Sequence, residues 1–342
     1  MLPSRGVIGA HHRHLMLHHR QLFFRCPTCL HDLAHETPRE LRCGSGHSVA
    51  VASSGHVHLL PAGRLRTSKA SRGDTKEMLR ARRAFFDASG YRVQIAAVAS
   101  AVTEAMARHS AGPDLPLLDA ASTRGGSNVL DAGCGEGNYL RALGARLAAR
   151  GVGASLWGTD ISKVAVRYAA TAQRSARFAV ARSTRLPFAD AAFDCVLSVF
   201  APVPWAEFCR VLRPGGTVVV ARPGTDHLNG LKAALYSSVR LQKPFESTPP
   251  EAAPSGGAHA FAEEARTRSR SVETFRGEVC TNLLHMTPFY WAATEQQQRQ
   301  IGSAPHLAEL TTAVDFDIRT YRLGSQDGSF QDGSLDIRAG VK

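Results

Sequence analysis

Near the start of the chain, four residues have the types and spacing of a zinc site. Cys26 and Cys29 are separated by two residues, and after thirteen further residues Cys43 and His47 are separated by Gly-Ser-Gly. A Cys-x2-Cys turn and a second turn that carries Cys and His together supply a tetrahedral set of ligands. Because four protein ligands leave no position for water, the pattern predicts a structural zinc ion rather than a catalytic one.

Two alternating segments follow these ligands. Residues 48–51 and 56–60 alternate apolar and polar side chains, which predicts two short strands of a zinc ribbon. His31 and His35 lie between the two ligand pairs, and we expect them to be exposed and not to bind the metal. Residues 23–61 are therefore predicted to form a small zinc-binding domain.

A glycine-rich segment further along has the pattern of a nucleoside-binding loop. The sequence Leu-Asp-Ala-Gly-Cys-Gly-Glu-Gly places Asp131 at the end of an apolar run, followed by Gly133, Gly135 and Gly137. Glycines let the backbone approach a ligand closely before a helix begins. A dinucleotide fingerprint would need glycine at position 138, which is asparagine here. The Asp-x-Gly-x-Gly-x-Gly form resembles instead the first motif of class I S-adenosylmethionine-dependent methyltransferases.

Asp160 ends the next apolar run, 29 residues after Asp131. A carboxylate at this place can accept hydrogen bonds from both ribose hydroxyls of an adenosyl group. The alternative role is to cap the helix that starts after Ser162. Residues 181–188, which include Ser183, follow at the place where methyltransferases of this superfamily contact adenine.

The elements that must position these residues alternate along the chain. Helical stretches are interleaved with short apolar runs, at residues 128–131, 155–160, 192–199 and 217–221. Strands that alternate with helices indicate a parallel, doubly wound sheet, and ligands of such sheets bind at the carboxyl ends of the strands. The predicted fold class is α/β, a Rossmann-like methyltransferase sheet with a small N-terminal zinc-ribbon domain.

Composition excludes several classes of protein. The chain has 342 residues, of which 44% are hydrophobic and 20% charged, as is usual for globular domains. No apolar run reaches the roughly 18 residues that a membrane helix needs. The seven cysteines comprise the three predicted zinc ligands and four scattered residues, which is not a disulfide framework. We therefore expect an intracellular protein.

The charge is unevenly distributed. The formal net charge is +12, and the first 83 residues contain 14 of the 41 Lys and Arg residues but 5 of the 29 Asp and Glu residues. Eight of these cations lie in residues 64–83, a run that suits a phosphate backbone and alternatively a solvated linker. Residues 1–22 lack acidic side chains and resemble a mitochondrial transit peptide, the alternative being a basic arm. The expected compartment is a bacterial-type cytoplasm, or the mitochondrion if this segment is a transit peptide.

Taken together, these motifs resemble the bacterial 23S rRNA (guanine-N1) methyltransferase family. The resemblance runs from about residue 24 to residue 322 and combines the zinc ligands with residues 55–61, 78–85, 130–137, 183–188, 201–202, 222–228 and 286–291. Generic methyltransferases lack the zinc ribbon and the Met-Thr-Pro-Phe segment. Departures from the family pattern are expected to be surface loops and a tail, at residues 110–127, 244–260, 292–304 and from 323 onward.

The resemblance implies S-adenosylmethionine and zinc as cofactors and large-subunit rRNA as the partner. The implied cofactor-binding residues are Tyr91, Asp131, Gly133, Gly135, Glu136, Gly137, Asp160, Ser183 and His227. Asp194, Glu207 and His227 are sequence candidates for the base that accepts the guanine N1 proton, and none of them is favoured. The guanine must leave its stack, or lie in a single-stranded loop, to reach the cofactor.

The predicted organisation is a basic extension at 1–22, the zinc-binding domain at 23–61, a basic linker at 62–83, the methyltransferase domain at 84–323 and a flexible tail at 324–342. Two other functions stay open at this point. One is a methyltransferase for a different RNA or a small molecule, and the other is a non-enzymatic RNA-binding protein. The complete glycine and acidic motifs argue against the second. No membrane partner is expected, and a homodimer is left open.

Overall fold

The N-terminal segment folds into a small antiparallel sheet. The computed structural model describes residues 24–61, 74–110, 126–235, 261–292 and 308–324, together with residues 249 and 298. The ribbon strands are β1 (Leu33–Thr37), β2 (Glu40–Cys43) and β3 (Ser48–Ala50). They are ordered β1-β2-β3, and both neighbouring pairs are antiparallel.

The second strand predicted for the ribbon connects the ribbon to the large sheet. β4 (Val57–His58) pairs in parallel with β7 (Arg177–Val180), and the Leu59 amide donates to the Val180 carbonyl at 2.9 Å. Val57 and Leu59 are buried in a core that includes side chains of the large domain. The alternating pattern predicts a strand correctly, but it does not specify which strand becomes the partner. The segment also pairs with the ribbon, because Val57 forms an antiparallel bridge with Val51, which directly follows β3. The predicted strand is therefore shared between the ribbon and the large sheet.

The rest of the described chain alternates helices and strands. In chain order these are α1 (Lys76–Asp87), α2 (Arg92–Ser110), β5 (Ser127–Ala132), α3 (Asn138–Ala149), β6 (Ala154–Asp160), α4 (Lys163–Ala172), β7, β8 (Phe193–Val199), α5 (Trp205–Val211), β9 (Leu212–Pro223), α6 (Asn229–Leu235), β10 (Phe261–Arg276), α7 (Glu278–His285), α8 (Pro288–Ala292) and β11 (Glu309–Leu323). The four apolar runs predicted as strands correspond to β5, β6, β8 and β9.

One sheet contains eight of the strands, in the order β10-β11-β9-β8-β5-β6-β7-β4. The pairs from β9 to β4 are parallel, whereas β11 is antiparallel to both β9 and β10. After β5 the chain adds β6 and β7 on one side and then β8 and β9 on the other, so the strand order reverses between β5 and β8. Such a switch point creates a crevice for ligands at the carboxyl ends of the strands. The predicted α/β fold class is confirmed.

Both faces of the large sheet are covered. Alternate residues of β9 point to opposite faces, so Val219 joins a core with α2, α3, α4 and α7, whereas Val218 joins a second core with α5. The zinc-binding segment packs on this second face, where the Phe24 ring stacks on Phe188 at 5.5 Å between centroids. The ribbon and the large sheet therefore share one hydrophobic core.

Several predicted segments lie outside the described residues. They are the extension at 1–22, residues 62–73 of the basic linker, most of the three insertions and the tail after residue 324. The domain boundaries that fall in these segments stay predictions. Within the described ranges, no helix combines the length and the apolarity needed to cross a membrane.

Candidate metal centre and cofactor cavity

The four predicted zinc ligands converge at one point of the ribbon. Their ligand atoms, one each from Cys26, Cys29, Cys43 and His47, all lie within 4.8 Å of one another. The Cys29 and Cys43 sulfurs are 3.5 Å apart, and the Cys43 sulfur is 3.4 Å from Nδ1 of His47. Two thiolates on one zinc ion lie about 3.8 Å apart when each Zn–S bond is about 2.3 Å. The observed spacing therefore fits zinc.

The backbone around the ligands favours this arrangement. The Gly46 amide donates to the Cys43 carbonyl at 2.9 Å, and Gly46 has a φ of 82°, a conformation that glycine adopts without strain. A hydrogen bond from the His31 backbone is the main cause that lowers the pKa of Cys29 to about 6, which favours the thiolate that zinc binds. The side chains of His31 and His35 are exposed and lie outside the ligand group, in agreement with the sequence-based expectation.

A cavity of about 830 Å³ lies at the carboxyl ends of β5, β6 and β8. This volume falls within the range of about 300 to 1,000 Å³ that is usual for ligand pockets. Seven of the nine residues predicted to bind the cofactor line the cavity, namely Tyr91, Gly133, Gly135, Glu136, Asp160, Ser183 and His227. The other two do not form part of the wall: Asp131 lies on β5 just before the loop, and Gly137 is the N-cap of α3.

The glycine-rich loop packs so closely against its neighbours that side chains would not fit. The Gly133 amide donates to the Thr159 carbonyl of β6 at 2.7 Å. A Cβ atom added at Gly133, where φ is 92°, would lie 2.4 Å from the Cβ of Ala201. At Gly137, where φ is 78°, it would lie 3.0 Å from the Cβ of Ala169. Bare backbone is therefore required both at Gly133, in the cavity wall, and at Gly137, behind it, as in a loop that cradles a ligand.

Asp160 orders the loop from the end of β6. Its Oδ2 accepts the Gly135 amide at 3.0 Å, and its Oδ1 accepts the Ser162 amide at 2.8 Å. The N-cap of α4 is Ser162, whose side chain accepts the Ala165 amide, so the capping role predicted as an alternative does not belong to Asp160. Each carboxylate oxygen of Asp160 keeps a lone pair that can accept a hydrogen bond from a hydroxyl group.

Asp131 is a buried carboxylate whose oxygens have no hydrogen-bond partner among the described residues. Burial, together with the nearby charge of Asp160, raises the pKa of Asp131 to about 8. An unpartnered buried charge is costly, and a cationic ligand group would offset that cost. The glycine cradle, the hydroxyl-accepting Asp160 and this carboxylate together fit a nucleoside that carries an amino group.

Arg82 connects α1 to the glycine-rich loop. Its Nε donates to Glu136 at 2.9 Å, and its Nη1 donates to Asp74. Arg82 belongs to the basic run at residues 64–83, for which the sequence leaves phosphate binding and a solvated linker open. In the structure Arg82 is paired with two carboxylates, and its side chain is only 23% exposed.

Tyr91 and His227 meet in the cavity wall, with the Tyr91 Oη 3.4 Å from Nε2 of His227. The Asp315 amide donates to Nδ1 of His227 at 3.3 Å, which places the ring proton on Nε2, facing Tyr91. Burial lowers the pKa of His227 to about 3 and raises the pKa of Tyr91 well above its ordinary value. Both groups are therefore neutral, and the Tyr91 hydroxyl can donate its own proton to a ligand.

Two of the three candidate bases have structural roles instead. Asp194, near the amino end of β8, accepts the Asn128 amide at 2.7 Å and pairs with Arg213 at 2.7 Å. Glu207 accepts the Leu186 amide at 2.6 Å and is paired with a neighbouring arginine. Neither carboxylate lines the cavity. Both are therefore wrong as candidates for the general base.

Sequence patterning does not identify two aromatic residues of the wall. Phe200 is 40% exposed and has a φ of 51°, a conformation that costs a bulky residue about 1–3 kcal/mol and is often retained at functional sites. The hydroxyl of Tyr139 is buried and has no hydrogen-bond partner among the described residues. A single aromatic residue at the end of a strand or in the first turn of a helix carries no distinctive spacing, so only the positive φ and the cavity reveal these positions.

Comparison with known families separates the same two parts of the chain. The family described as "Methyltransferase domain" matches residues 129–216, and the zinc-ribbon family described as "RlmA, N-terminal" matches residues 24–69. The second match contains all four predicted zinc ligands, and the first contains the glycine-rich loop and Asp160.

Three bacterial relatives match most of the chain. The 23S rRNA (guanine(748)-N(1))-methyltransferase of Streptomyces fradiae is 33% identical over 86% of this chain and 96% of its own length. A protein of Micromonospora griseorubida, provisionally named a 23S rRNA (guanine-N(1)-)-methyltransferase, is 35% identical over 78% of this chain and 86% of its own length. A similarly named protein of Bacillus subtilis is 29% identical over 86% of this chain and 95% of its own length.

Proposed function

This chain belongs to the family of 23S rRNA (guanine-N1)-methyltransferases, and on that premise we propose that it transfers a methyl group from S-adenosylmethionine to N1 of a guanine in large-subunit rRNA. The cavity wall carries the proposal, because the glycine-rich loop, Asp160 and Tyr91 surround a space large enough for a nucleoside and a base. The cavity also lies at the switch point of the sheet, where folds of this type bind nucleosides.

Each residue of the wall has a separate task in binding the cofactor. Asp160 accepts the ribose hydroxyls through the lone pairs that its two amide hydrogen bonds leave free. Asp131, which is buried behind the glycine-rich loop and not in the wall itself, would provide the counter-charge for the amino group, and Ser183 would contact the adenine. When bound, S-adenosylmethionine supplies an electrophilic methyl group on a sulfonium. The protein contributes mainly by holding that methyl group in line with the attacking nitrogen.

Guanine N1 carries a proton that must leave before or during methyl transfer. In the described cavity, Glu136 is paired with Arg82, Asp160 accepts two amides, and His227 already holds a proton on the nitrogen that faces inward. None of these groups is arranged to accept another proton. We therefore assign the proton to water in the cavity, and His227 to positioning the Tyr91 hydroxyl.

The RNA must present an unpaired or extruded guanine, because the reacting nitrogen of a paired base is covered. The zinc ribbon shares a hydrophobic core with the large sheet, so RNA bound to the ribbon would be held at a fixed distance from the cavity. The bacterial relatives support the bacterial cytoplasm as the compartment and give the mitochondrial alternative no support. The homodimer stays an open alternative.

A methylation assay tests the proposed function. Zinc-loaded protein and S-adenosylmethionine are incubated with an unmodified transcript of large-subunit rRNA, and mass spectrometry of the digested RNA identifies the product. We expect 1-methylguanosine at one position, and no product from the Asp160→Ala variant, which loses the acceptor for the ribose hydroxyls. Methylation of small molecules alone, or of another base position, would falsify the proposal.

Replacing Tyr91 by phenylalanine tests the assignment of the Tyr91–His227 pair. The ring contact with Phe85, 4.9 Å between centroids, remains, but the hydroxyl that donates into the cavity is lost. We expect S-adenosylmethionine to bind about tenfold more weakly by calorimetry, the magnitude of one hydrogen bond. The melting temperature should stay within about 2 °C of the parent.

A control variant and a pH profile accompany this variant. Tyr321→Phe alters a buried tyrosine that belongs to the other core, so it should leave cofactor binding unchanged. Because the pKa of His227 is lowered to about 3, the methylation rate should show no inflection from an imidazole between about pH 6 and 8. Such an inflection, lost in a His227→Asn variant, would contradict the neutral pair.

A further inference from the structure

A cluster of cations lies beside the cavity, and neither the zinc site nor the cofactor site uses it. The cluster consists of Lys163 and Arg167 on α4, Arg83 on α1, and Tyr168 between the two arginines; we name it the α4 basic patch. The guanidinium carbons of Arg83 and Arg167 lie 5.0 and 5.6 Å from the centroid of the Tyr168 ring. An aromatic ring that contacts two guanidinium groups holds both of them in defined positions.

The protein leaves most of this positive charge without a counter-charge. Lys163 and Arg167 are exposed, and within the described ranges no ion pair is formed by either. Arg83 approaches Asp87 at 3.7 Å, but both side chains are more than half exposed, so the pair is weak. The arginines of β10 differ, because Arg268 and its neighbours are paired with aspartates at about 2.9 Å.

The positive field of the patch also reaches the ribbon side of the protein. His56 precedes β4 and His58 is its second residue, at the edge of the large sheet. Burial lowers the pKa of both imidazoles, and the charge of Lys163 lowers both further. The two histidines are therefore neutral near pH 7, so the positive charge of the patch comes from Lys163 and the two arginines.

The patch adjoins the mouth of the cavity. Ser162 and Arg82, the residues immediately before Lys163 and Arg83, both line the cavity. A polyanion that lies on the patch would therefore pass beside residues that line the cavity.

We propose that the α4 basic patch binds the phosphate backbone of the substrate RNA and so places the target guanine at the cavity. This inference rests on the proposed function and gives it a second contact surface besides the zinc ribbon. Guanidinium groups fixed on an aromatic ring match phosphate oxygens, and Tyr168 adds a surface for stacking. RNA suits the patch better than an acidic protein segment does, because only RNA also has a base for the adjoining cavity.

The double variant Lys163→Glu/Arg167→Glu tests the proposal against the matched control Arg150→Glu/Arg174→Glu. The control makes the same change in net charge at two exposed arginines near the amino edge of the sheet. The probe is an unmodified transcript of large-subunit rRNA, and its binding is measured by filter retention at several salt concentrations. We expect the patch variant to bind at least about tenfold more weakly, with a salt slope that is smaller by about 1.5, since two phosphate contacts are lost.

Further measurements separate binding from damage to the fold. Calorimetry should give the parent affinity for S-adenosylmethionine in both double variants, and the patch variant should raise the KM for RNA more than it lowers kcat. A milder Tyr168→Leu variant keeps every charge but loses the ring contact, and should weaken RNA binding about threefold, whereas Tyr168→Phe should not. The comparison of RNA affinity between Tyr168→Leu and Tyr168→Phe tests the proposal even if the charge reversals prevent folding.

Three outcomes would overturn the inference. The first is unchanged RNA binding in the patch variant, and the second is an equal loss of RNA binding in the control variant. The third comes from a parallel assay with poly-glutamate, an acidic polypeptide: a patch variant that loses binding to poly-glutamate but keeps binding to RNA. The last would assign the patch to an acidic protein. The parent protein tests the proposed function separately, because absence of 1-methylguanosine from the parent reaction contradicts that function whatever the patch variants show.

Discussion

Replacing Cys43 by serine is expected to remove the zinc ion and the methylation of RNA together. The ribbon has few large buried side chains of its own, chiefly Leu33 and Leu41, so it depends on the metal for its fold. Structural zinc contributes on the order of 10 kcal/mol to domains of this size. Elemental mass spectrometry should show the loss of one equivalent of zinc per protein. Because the ribbon then unfolds, we expect the rate of RNA methylation to fall at least about 100-fold.

Binding of S-adenosylmethionine distinguishes loss of the ribbon from loss of the whole fold. The cavity is built from the loops at the carboxyl ends of β5, β6 and β8, so affinity measured at low temperature should stay within about threefold of the parent. The melting temperature should fall, because the ribbon and the large sheet share one core. Cys209→Ser is the matched control, since Cys209 lies on α5 and outside the ligand group. Retention of a full equivalent of zinc by the Cys43→Ser protein would refute the assignment.

The central strands could be predicted because their sequences are locally distinctive. β5, β6, β8 and β9 are short apolar runs between helical stretches, and burial on both faces of a parallel sheet requires such runs. β1 has no comparable pattern, since Leu33 is its only buried residue. β4 has the pattern, but its two residues do not encode whether the partner is β3 or β7. In both cases the position of the strand depends on contacts with residues that are distant in the sequence.

The same division holds for the cofactor site. The glycine-rich loop and Asp160 could be identified because the backbone chemistry of a nucleoside cradle requires particular residues at fixed spacing. Tyr91 and His227 are 136 positions apart, and spacing does not show that their side chains meet; only the family resemblance identifies them. The ion pair between Arg82 and Glu136 could not be predicted either, because a run of basic residues does not reveal a carboxylate partner 54 positions away.

Replacing Asp131 by asparagine is expected to stabilise the protein while weakening its binding of S-adenosylmethionine. The pKa of the buried carboxyl is raised to about 8 from its ordinary value of 3.8, so the folded protein keeps this proton to a higher pH than the unfolded chain does. Its contribution to stability therefore falls as the pH rises from about 4 to about 8, and is constant above that range. Asparagine does not ionise, so the variant should have the larger free energy of unfolding and the higher melting temperature. The difference in free energy should be on the order of a few kcal/mol at pH 8 and much less at pH 5.

Cofactor binding should change in the opposite direction. Loss of the counter-charge for the amino group removes a charge-assisted hydrogen bond, so calorimetry at pH 7.5 should show binding at least about tenfold weaker. Asp194→Asn is the matched control, because that carboxylate pairs with Arg213 near the amino end of β8, at the opposite end of the strand from the cavity. This variant should lose stability and keep cofactor affinity. General damage to the fold would lower both quantities together. A gain in stability with a loss of affinity therefore identifies Asp131 as a charge retained for its ligand, and equal stability of parent and variant at pH 8 would show that the carboxylate has a partner after all.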